Sequence, residues 1–248
     1  MSKVFVTTTV SENTLRVTGA FASDRKAVIY SEEDLVLNGK ETLVIESTEN
    51  GVQTKDDLKI TGGSYVVSCN DAAFYAKDSI CICDGFIRVL QAQDGLHAEN
   101  KKDYTKGYVY ISGGTIDITC SDDAIHAMSV ILIDGGEITL QAHEGLEATY
   151  VQIRGGTLSI TASDDGINAG RKSGAYEPTV DIQGGDITIS VLLDESDAID
   201  ANGNILISGG TIRITATGAF DCDGQAVLTG GTVIVNGVEV TTLQIRKN

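Results

Sequence analysis

One unit of text recurs along this chain and limits its fold more than any other feature. Its clearest copy is Ile111-Ser-Gly-Gly-Thr-Ile-Asp-Ile-Thr-Cys-Ser-Asp-Asp-Ala-Ile-His-Ala127, in which alternating apolar runs flank a Gly-Gly turn and an acidic pair. It returns as Ile133-Asp-Gly-Gly-Glu-Ile-Thr-Leu140 with His143-Glu-Gly-Leu-Glu-Ala148, and as Ile153-Arg-Gly-Gly-Thr-Leu-Ser-Ile160 with Ser163-Asp-Asp-Gly-Ile-Asn-Ala169. A short unit that returns in this way cannot bury its apolar face alone, so neighbouring copies must stack.

From residue 58 the turns fall at Gly62, Asp84, Gly113, Gly135, Gly155, Gly184, Gly209 and Gly230, at gaps of 22, 29, 22, 20, 29, 25 and 21 residues. A basal period of 20–22 is thus lengthened by insertions near 98–107, 169–178 and 191–197. Within each unit the period is two. Ile116/Ile118, Ile138/Leu140, Leu158/Ile160, Ile187/Ile189 and Ile212/Ile214 enclose Asp117, Thr139, Ser159, Thr188 and Arg213. Upstream of each turn, pairs such as Val109/Ile111 and Val151/Ile153 alternate in the same way. That is strand patterning with one apolar face.

Three short strands per unit, without helices, predict an all-β, single-domain parallel β-helix of about nine coils. The domain spans 1–248, with degenerate coils or a cap over 1–57, regular coils over 58–237 and a C-terminal cap over 238–248. An antiparallel sandwich is the alternative. Inward columns of Ile, Leu and Val fill the interior, so function has to lie outside.

Composition narrows the partners. With 35 acidic against 18 basic residues the net charge is −17, which disfavours nucleic acid and favours cations. No apolar run approaches the length of a membrane span. Met1-Ser-Lys-Val-Phe-Val-Thr lacks the apolar core and cleavage site of a signal peptide. Five cysteines exclude a complete disulfide framework.

Three outward features could carry chemistry. Asp94, Asp123, Glu144, Asp165 and Asp197 precede the third strand of successive coils, and Asp122 and Asp164 double that column. Three residues on stand His97, His126, Glu147, Asn168, Asp200 and Asp221, with Asp223 beyond. Carboxylates stacked at the ~4.8 Å strand spacing repel one another. Oxygen-rich sites of this kind suit Ca²⁺, and the alternative is a column of solvated turn acids. Zinc is less suited, because His97, His126 and His143 do not group with the cysteines.

The second feature is a pair of insertions, Glu99–Tyr108 and Gly170–Pro178, which carry Lys101, Lys102, Tyr104, Tyr108, Arg171, Lys172 and Tyr176. Tyrosine beside Lys or Arg suits a sugar polymer, and the alternative is ordinary solvated loops. Three coils should separate the two by roughly 14 Å. The third feature, the Thr/Ser ladder of Thr115, Thr119, Thr157, Ser159, Thr161, Thr211 and Thr215, could meet a flat crystalline polymer or ice. It also reads as ordinary exposed strand. For catalysis there is no nucleophile elbow or phosphate loop. A lyase would need a cation or base beside the metal, for which Arg88, Arg154 and Arg213 are candidates by default.

Repeated Ile-Ser-Gly-Gly-Thr-Ile-x-Ile-Thr and Ser-Asp-Asp-Gly-Ile-Asn-Ala, with Thr-Lys-Gly-Tyr-Val-Tyr-Ile-Ser-Gly-Gly after an insertion, resemble the clostridial-type carbohydrate-binding parallel β-helix family, which is related in fold to pectate lyases. The resemblance covers about residues 56–237. It implies a calcium-binding, right-handed parallel β-helix, extracellular or on the cell surface, that binds a plant polysaccharide such as cellulose or polygalacturonate without catalysis. Asn70-Asp-Ala-Ala-Phe and Gly218-Ala-Phe-Asp depart from the pattern, which weakens metal sites at both ends. A calcium-dependent polysaccharide lyase and a structural or adhesion module remain as alternatives, and oligomeric state is open.

Overall fold

The alternation read from the sequence becomes strands because each run offers β-branched side chains to one side and polar ones to the other. In the computed structural model, which describes residues 3–8, 13–21 and 25–246, the described residues form no helix. Their strands group into parallel ladders. The first runs from Lys3–Thr8 through Asp34–Gly39, Tyr108–Ile111, Val130–Ile133, Tyr150–Ile153, Thr179–Ile182 and Asn204–Ile207 to Ala226–Leu228. The second runs from Asn13–Arg16 through Thr42–Glu46, Thr115–Thr119, Glu137–Ala142, Thr157–Ala162, Asp186–Val191 and Thr211–Thr215 to Thr232–Val235. Two long strands, Asp57–Ser68 and Ser79–Gln91, run through both ladders and join them into one 19-stranded sheet.

The third ladder is a separate nine-stranded sheet. It runs from Ala27–Ser31 and Asn50–Thr54 through Phe74–Ala76, Leu96–Ala98, Asp123–Ala127, Glu144–Ala148, Ile167–Ala169 and Asp197–Ala201 to Gly218–Cys222. These parallel registers exclude the antiparallel sandwich. Among the described residues the one antiparallel pairing joins Thr232–Val235 to Val238–Val240. Its turn uses Asn236 and Gly237, both with positive φ.

The inward side chains of all three ladders belong to one hydrophobic cluster, in which Ile116, Ile138, Leu158, Ile187 and Ile212 form one buried column. The corner between the first and second ladders needs glycine. Gly114 has φ 92°, and a Cβ on it would lie 2.9 Å from the Gly85 carbonyl oxygen of the neighbouring unit.

The degenerate text of the first 57 residues conceals the same pairing. Strands Lys3–Thr8, Asn13–Arg16 and Ala27–Ser31 each pair in parallel with the equivalent strand of the next unit. Apolar alternation is enough to hold the ladder, and Gly39 with φ 144° turns a corner where later units use a glycine pair. Residues 1–2 and 247–248, assigned to the caps, lie outside the described residues.

Candidate functional site

The third ladder places Tyr75, His97, His126, Glu147, Asn168, Asp200 and Asp221 in one outward column, each paired with the next. Backbone amides tie the preceding acids together. Asp94 Oδ1 accepts the Asp123 N–H at 3.3 Å, and Asp165 Oδ1 accepts the Asp197 N–H at 2.8 Å.

At its N-terminal end the column carries its own cations. His97 Nδ1 lies 2.7 Å from Asp94 Oδ2. The His97 ring stacks between Tyr75 and His126, at centroid distances of 5.2 and 4.5 Å. His126 Nδ1 is shared by Asp123 Oδ2 at 2.8 Å and Glu147 Oε2 at 2.7 Å. Lys172 Nζ pairs with the other Glu147 oxygen. Burial opposes charge on His126, but its two carboxylate partners outweigh that and lift it to about 9. Burial likewise opposes ionisation of Glu147, and hydrogen bonds from His126 and Lys172 overcome it and hold Glu147 below the usual carboxylate range. Asp123, His126 and Glu147 are one of two tight groups of metal-type donors among the described residues. That group is already neutralised by protein cations.

Toward the C-terminus the column changes character. Burial, then the neighbouring acids, push Asp165 up to about 6 and Asp200 up to about 7. Glu144, at the junction, is pushed to about 8 by burial and by Glu147, although Asn168 Nδ2 donates to it at 3.2 Å. Asp197 is 7% exposed. Among the described residues its Oδ1 has no hydrogen-bond partner, and its Oδ2 lies 3.7 Å from Arg246 Nη1. Asp122 and Asp164 turn aside, accepting from Gln93 Nε2 at 3.2 Å and Ser196 Oγ at 2.6 Å. Asp223 is exposed beyond the last strand of the ladder.

The second tight donor group, Asp34, Asp56 and Asp57, was missed from sequence. Its signal was an acidic residue returning every 22 positions, at Asp34, Asp56 and Asp78. Burial and a hydrogen bond with Asp78 push Asp56 up to about 6.

The two insertions do not stand apart as expected from three intervening units. Ser173 Oγ donates to the Tyr104 carbonyl at 2.6 Å, because the second loop folds back along the stack. Thr149 Oγ1 accepts the backbone N–H groups of Lys172 and Ser173 at 3.1 and 2.7 Å and fixes that turn. Buried Asp78 anchors the first loop through Asn100 Nδ2 and Lys106 Nζ, both at 2.5 Å. Between the loops and the first ladder lies a groove of about 340 Å³ lined by Tyr108, Tyr110, Val130, Leu132 and Tyr176, with Cys81 and Thr105. Tyr104, Tyr108 and Tyr176 are 52%, 36% and 38% exposed. Tyr110 and Leu132, missed from sequence, sit at outward positions of alternating strands.

The basic residues of the loops behave differently from the tyrosines. Lys101 Nζ lies 3.1 Å from Glu99, and Arg171 lies 3.8 Å from Glu177 and donates to the Asn202 carbonyl at 3.1 Å. Lys102 is exposed and held through its backbone N–H by Asn100 Oδ1 at 3.0 Å. Lys172 points away from the groove lining, into the acidic column. It was grouped with the sugar contacts because a loop side chain's direction is not encoded by local spacing.

The site can be set beside known proteins. A protein of Acetivibrio thermocellus described as carbohydrate-binding domain-containing is 37% identical over 113 residues, which are 45% of this chain and 40% of that protein. The chain thus spans well under half the length of that relative. A solved structure of the polysaccharide lyase-like protein from C. thermocellum, a gadolinium derivative, superposes with a TM-score of 0.57 at 18% identity, over 94% of this chain and 97% of that one. That likeness speaks for the fold. The family described as carbohydrate-binding domain-containing protein matches residues 1–149 and 146–239, and the chain belongs to it.

Proposed function

We propose that this protein binds an extended, neutral polysaccharide of the cellulose type in the groove between the two insertions. The observation that carries the reading is the meeting of the loops through Ser173 and Tyr104, which gathers Tyr108, Tyr110 and Tyr176 about one groove. Aromatic rings offer a sugar a broad face and an edge hydroxyl at small entropic cost. Four of the five basic side chains of the loops, Lys101, Lys106, Arg171 and Lys172, already face carboxylates. On a chain of net charge −17 this favours a neutral glucan over polygalacturonate. The same pairing favours a binder over a lyase, since an elimination base has to be free to take a proton.

Calcium belongs to the C-terminal half of the acidic column. Asn168, Asp200 and Asp221 succeed one another along the column, with Asp165 and Asp197 beside it, and carboxylate and amide oxygens are the donors that suit it. The buried Asp197 Oδ1, unpartnered among the described residues, is the kind of atom a cation satisfies. There the ion would neutralise the stacked acids and stiffen the scaffold. The ladders close into one right-handed parallel β-helix, and the protein works outside the cell. This reading extends the resemblance seen in the repeats.

Affinity gels containing glucans or uronates, run with calcium and with chelator, test the reading. Retardation by soluble β-glucan, lost in Tyr176→Ala and Tyr110→Ala with unchanged melting, is expected. Retardation by polygalacturonate alone would replace the neutral polymer with a uronate. Steady release of unsaturated uronides would promote the lyase.

A further inference from the structure

The first ladder repeats one device inside the groove and beyond it. In the groove, Tyr110 lies over its neighbouring unit with its hydroxyl donating to Asp134 Oδ2 at 2.9 Å. Arg154 holds that carboxylate through both oxygens, at 2.5 and 2.7 Å. Further along the same face, the Tyr150 hydroxyl donates to Asp181 Oδ2 at 3.0 Å. Gln152 Nε2 and Gln183 Nε2 donate to the same oxygen at 2.7 and 2.9 Å. Asp181 is 8% exposed, so this is a built, buried anchor and not a solvated ion. Tyr150 is half-buried.

The register sets the spacing between the two devices. Tyr110 pairs with Leu132 and Leu132 with Gln152, whereas Val130 of the same strand pairs with Tyr150. Gln152 therefore continues the column of Tyr110, and Tyr150 that of Tyr108 and Val130, each two strands on, roughly 9–10 Å along the stack. That is close to the repeat of a two-sugar unit in an extended β-linked glucan. A polymer lying along the axis would leave the groove over Val130 and Leu132 and meet Tyr150 and Gln152 next, side by side. A phenol ring fixed by its hydroxyl has little rotamer entropy left to lose on binding.

We propose that Tyr150, Gln152 and Asp181 form a second sugar subsite in line with the groove, in which Tyr150 stacks on a sugar ring, Gln152 meets its hydroxyls and Asp181 positions both. The proposal rests on the groove reading and extends it from one binding point to a track. Regularly spaced weak contacts on a rigid face raise affinity with chain length, and this separates the two ideas experimentally.

The experiment is a titration of the full chain with β-linked gluco-oligosaccharides of three and six units, followed by calorimetry and by the melt of each variant. Wild type should bind the six-unit sugar the more tightly. Tyr150→Ala should lower that affinity by about fivefold and leave the three-unit affinity within about twofold. Tyr150→Phe, which keeps the ring and loses the anchor, should fall between. If Tyr150→Ala does not fold, Gln152→Ala gives the same readout. Equal six-unit affinity in wild type and in these variants would overturn the second subsite alone. Wild type that binds neither length would overturn the groove reading and this one with it.

Discussion

The two halves of the third ladder share a backbone, a register and an outward column, yet they solve the same electrostatic problem in different ways. From His97 to Glu147, imidazoles and Lys172 are interleaved with the acids. From Asn168 to Asp221 the column carries no basic side chain, and burial and mutual repulsion push Asp165 and Asp200 up to about 6 and 7. A repeat that stacks carboxylates needs counter-charge in every unit. The first half carries it in His126 and Lys172; the second half has Arg246, 3.7 Å from Asp197 Oδ2, and on the proposal above takes the rest from solution. The borrowed charge is conditional on the medium, whereas the built-in charge is conditional on single residues.

The sharpest way to break the comparison is to remove the built-in cation. Lys172→Met leaves Glu147 buried with only His126 for a partner. Loss of one member of a buried pair costs ~3–5 kcal/mol; Glu147 is buried but Lys172 is exposed, and screening by water with the remaining His126 contact should reduce this to about 2–3 kcal/mol. Urea unfolding should show it, and Lys172→Met with Glu147→Gln should recover part of the loss. Calcium should not rescue Lys172→Met, because its site lies in the other half. Full rescue by calcium would erase the distinction between the halves.

Next in size is the borrowed charge. Calcium at a hundredfold its dissociation constant adds ~2.7 kcal/mol, which for a chain of this length raises the melting temperature by about 5–10 °C. Asp200→Asn and Asp197→Asn should blunt that response. Glu147→Gln should lower the melt without blunting it. An unchanged melt in chelator would leave the C-terminal acids as solvated turn residues.

A smaller effect separates the halves by pH. Asp165 and Asp200 of the second half have raised folded values, about 6 and 7, and burial raises Asp123 and Glu144 of the first half to about 6 and 8. Their contribution is therefore fully present below the ordinary carboxylate range and is lost as pH rises through 6 to 8. His126, lifted to about 9, contributes fully below its ordinary value near 6.5 and loses that contribution as pH rises through 9. In chelator, stability should fall in two steps, each on the order of 1–2 kcal/mol after screening by water. Calcium should shrink the first step by the share of Asp165 and Asp200 and spare the second. One step, or two that respond alike, would merge the halves.

Much of this was legible in the sequence for a simple reason. Strand period and register are local, so the buried columns and the outward run from His97 to Asp221 follow from counting residues. What was not legible depends on contacts between distant units. Lys172 reaches Glu147 because Thr149 turns the loop, and no spacing rule encodes that turn. Ser173 meets Tyr104 across 69 positions, which brings together insertions expected to stand apart. Tyr110 looked like ordinary strand, and its role in the groove depends on what the loops place over it.

The smallest expected effect sets the baseline for the others. Thr157 stands exposed on the second ladder, paired with Glu137 and Asp186 of its neighbours, in a column that resembles the third ladder's in regularity but carries far less stacked charge. If regular stacking alone made outward residues important, Thr157→Ala would cost as much as Asp200→Asn does in calcium. Strand propensity and one lost methyl-hydroxyl contact amount to under about 1 kcal/mol, and the calcium response should stay whole. A melt that drops as far for Thr157→Ala as for the acid variants would mean that the ladders respond to any outward change, and the contrast between built-in and borrowed charge would have no basis in the acidic column.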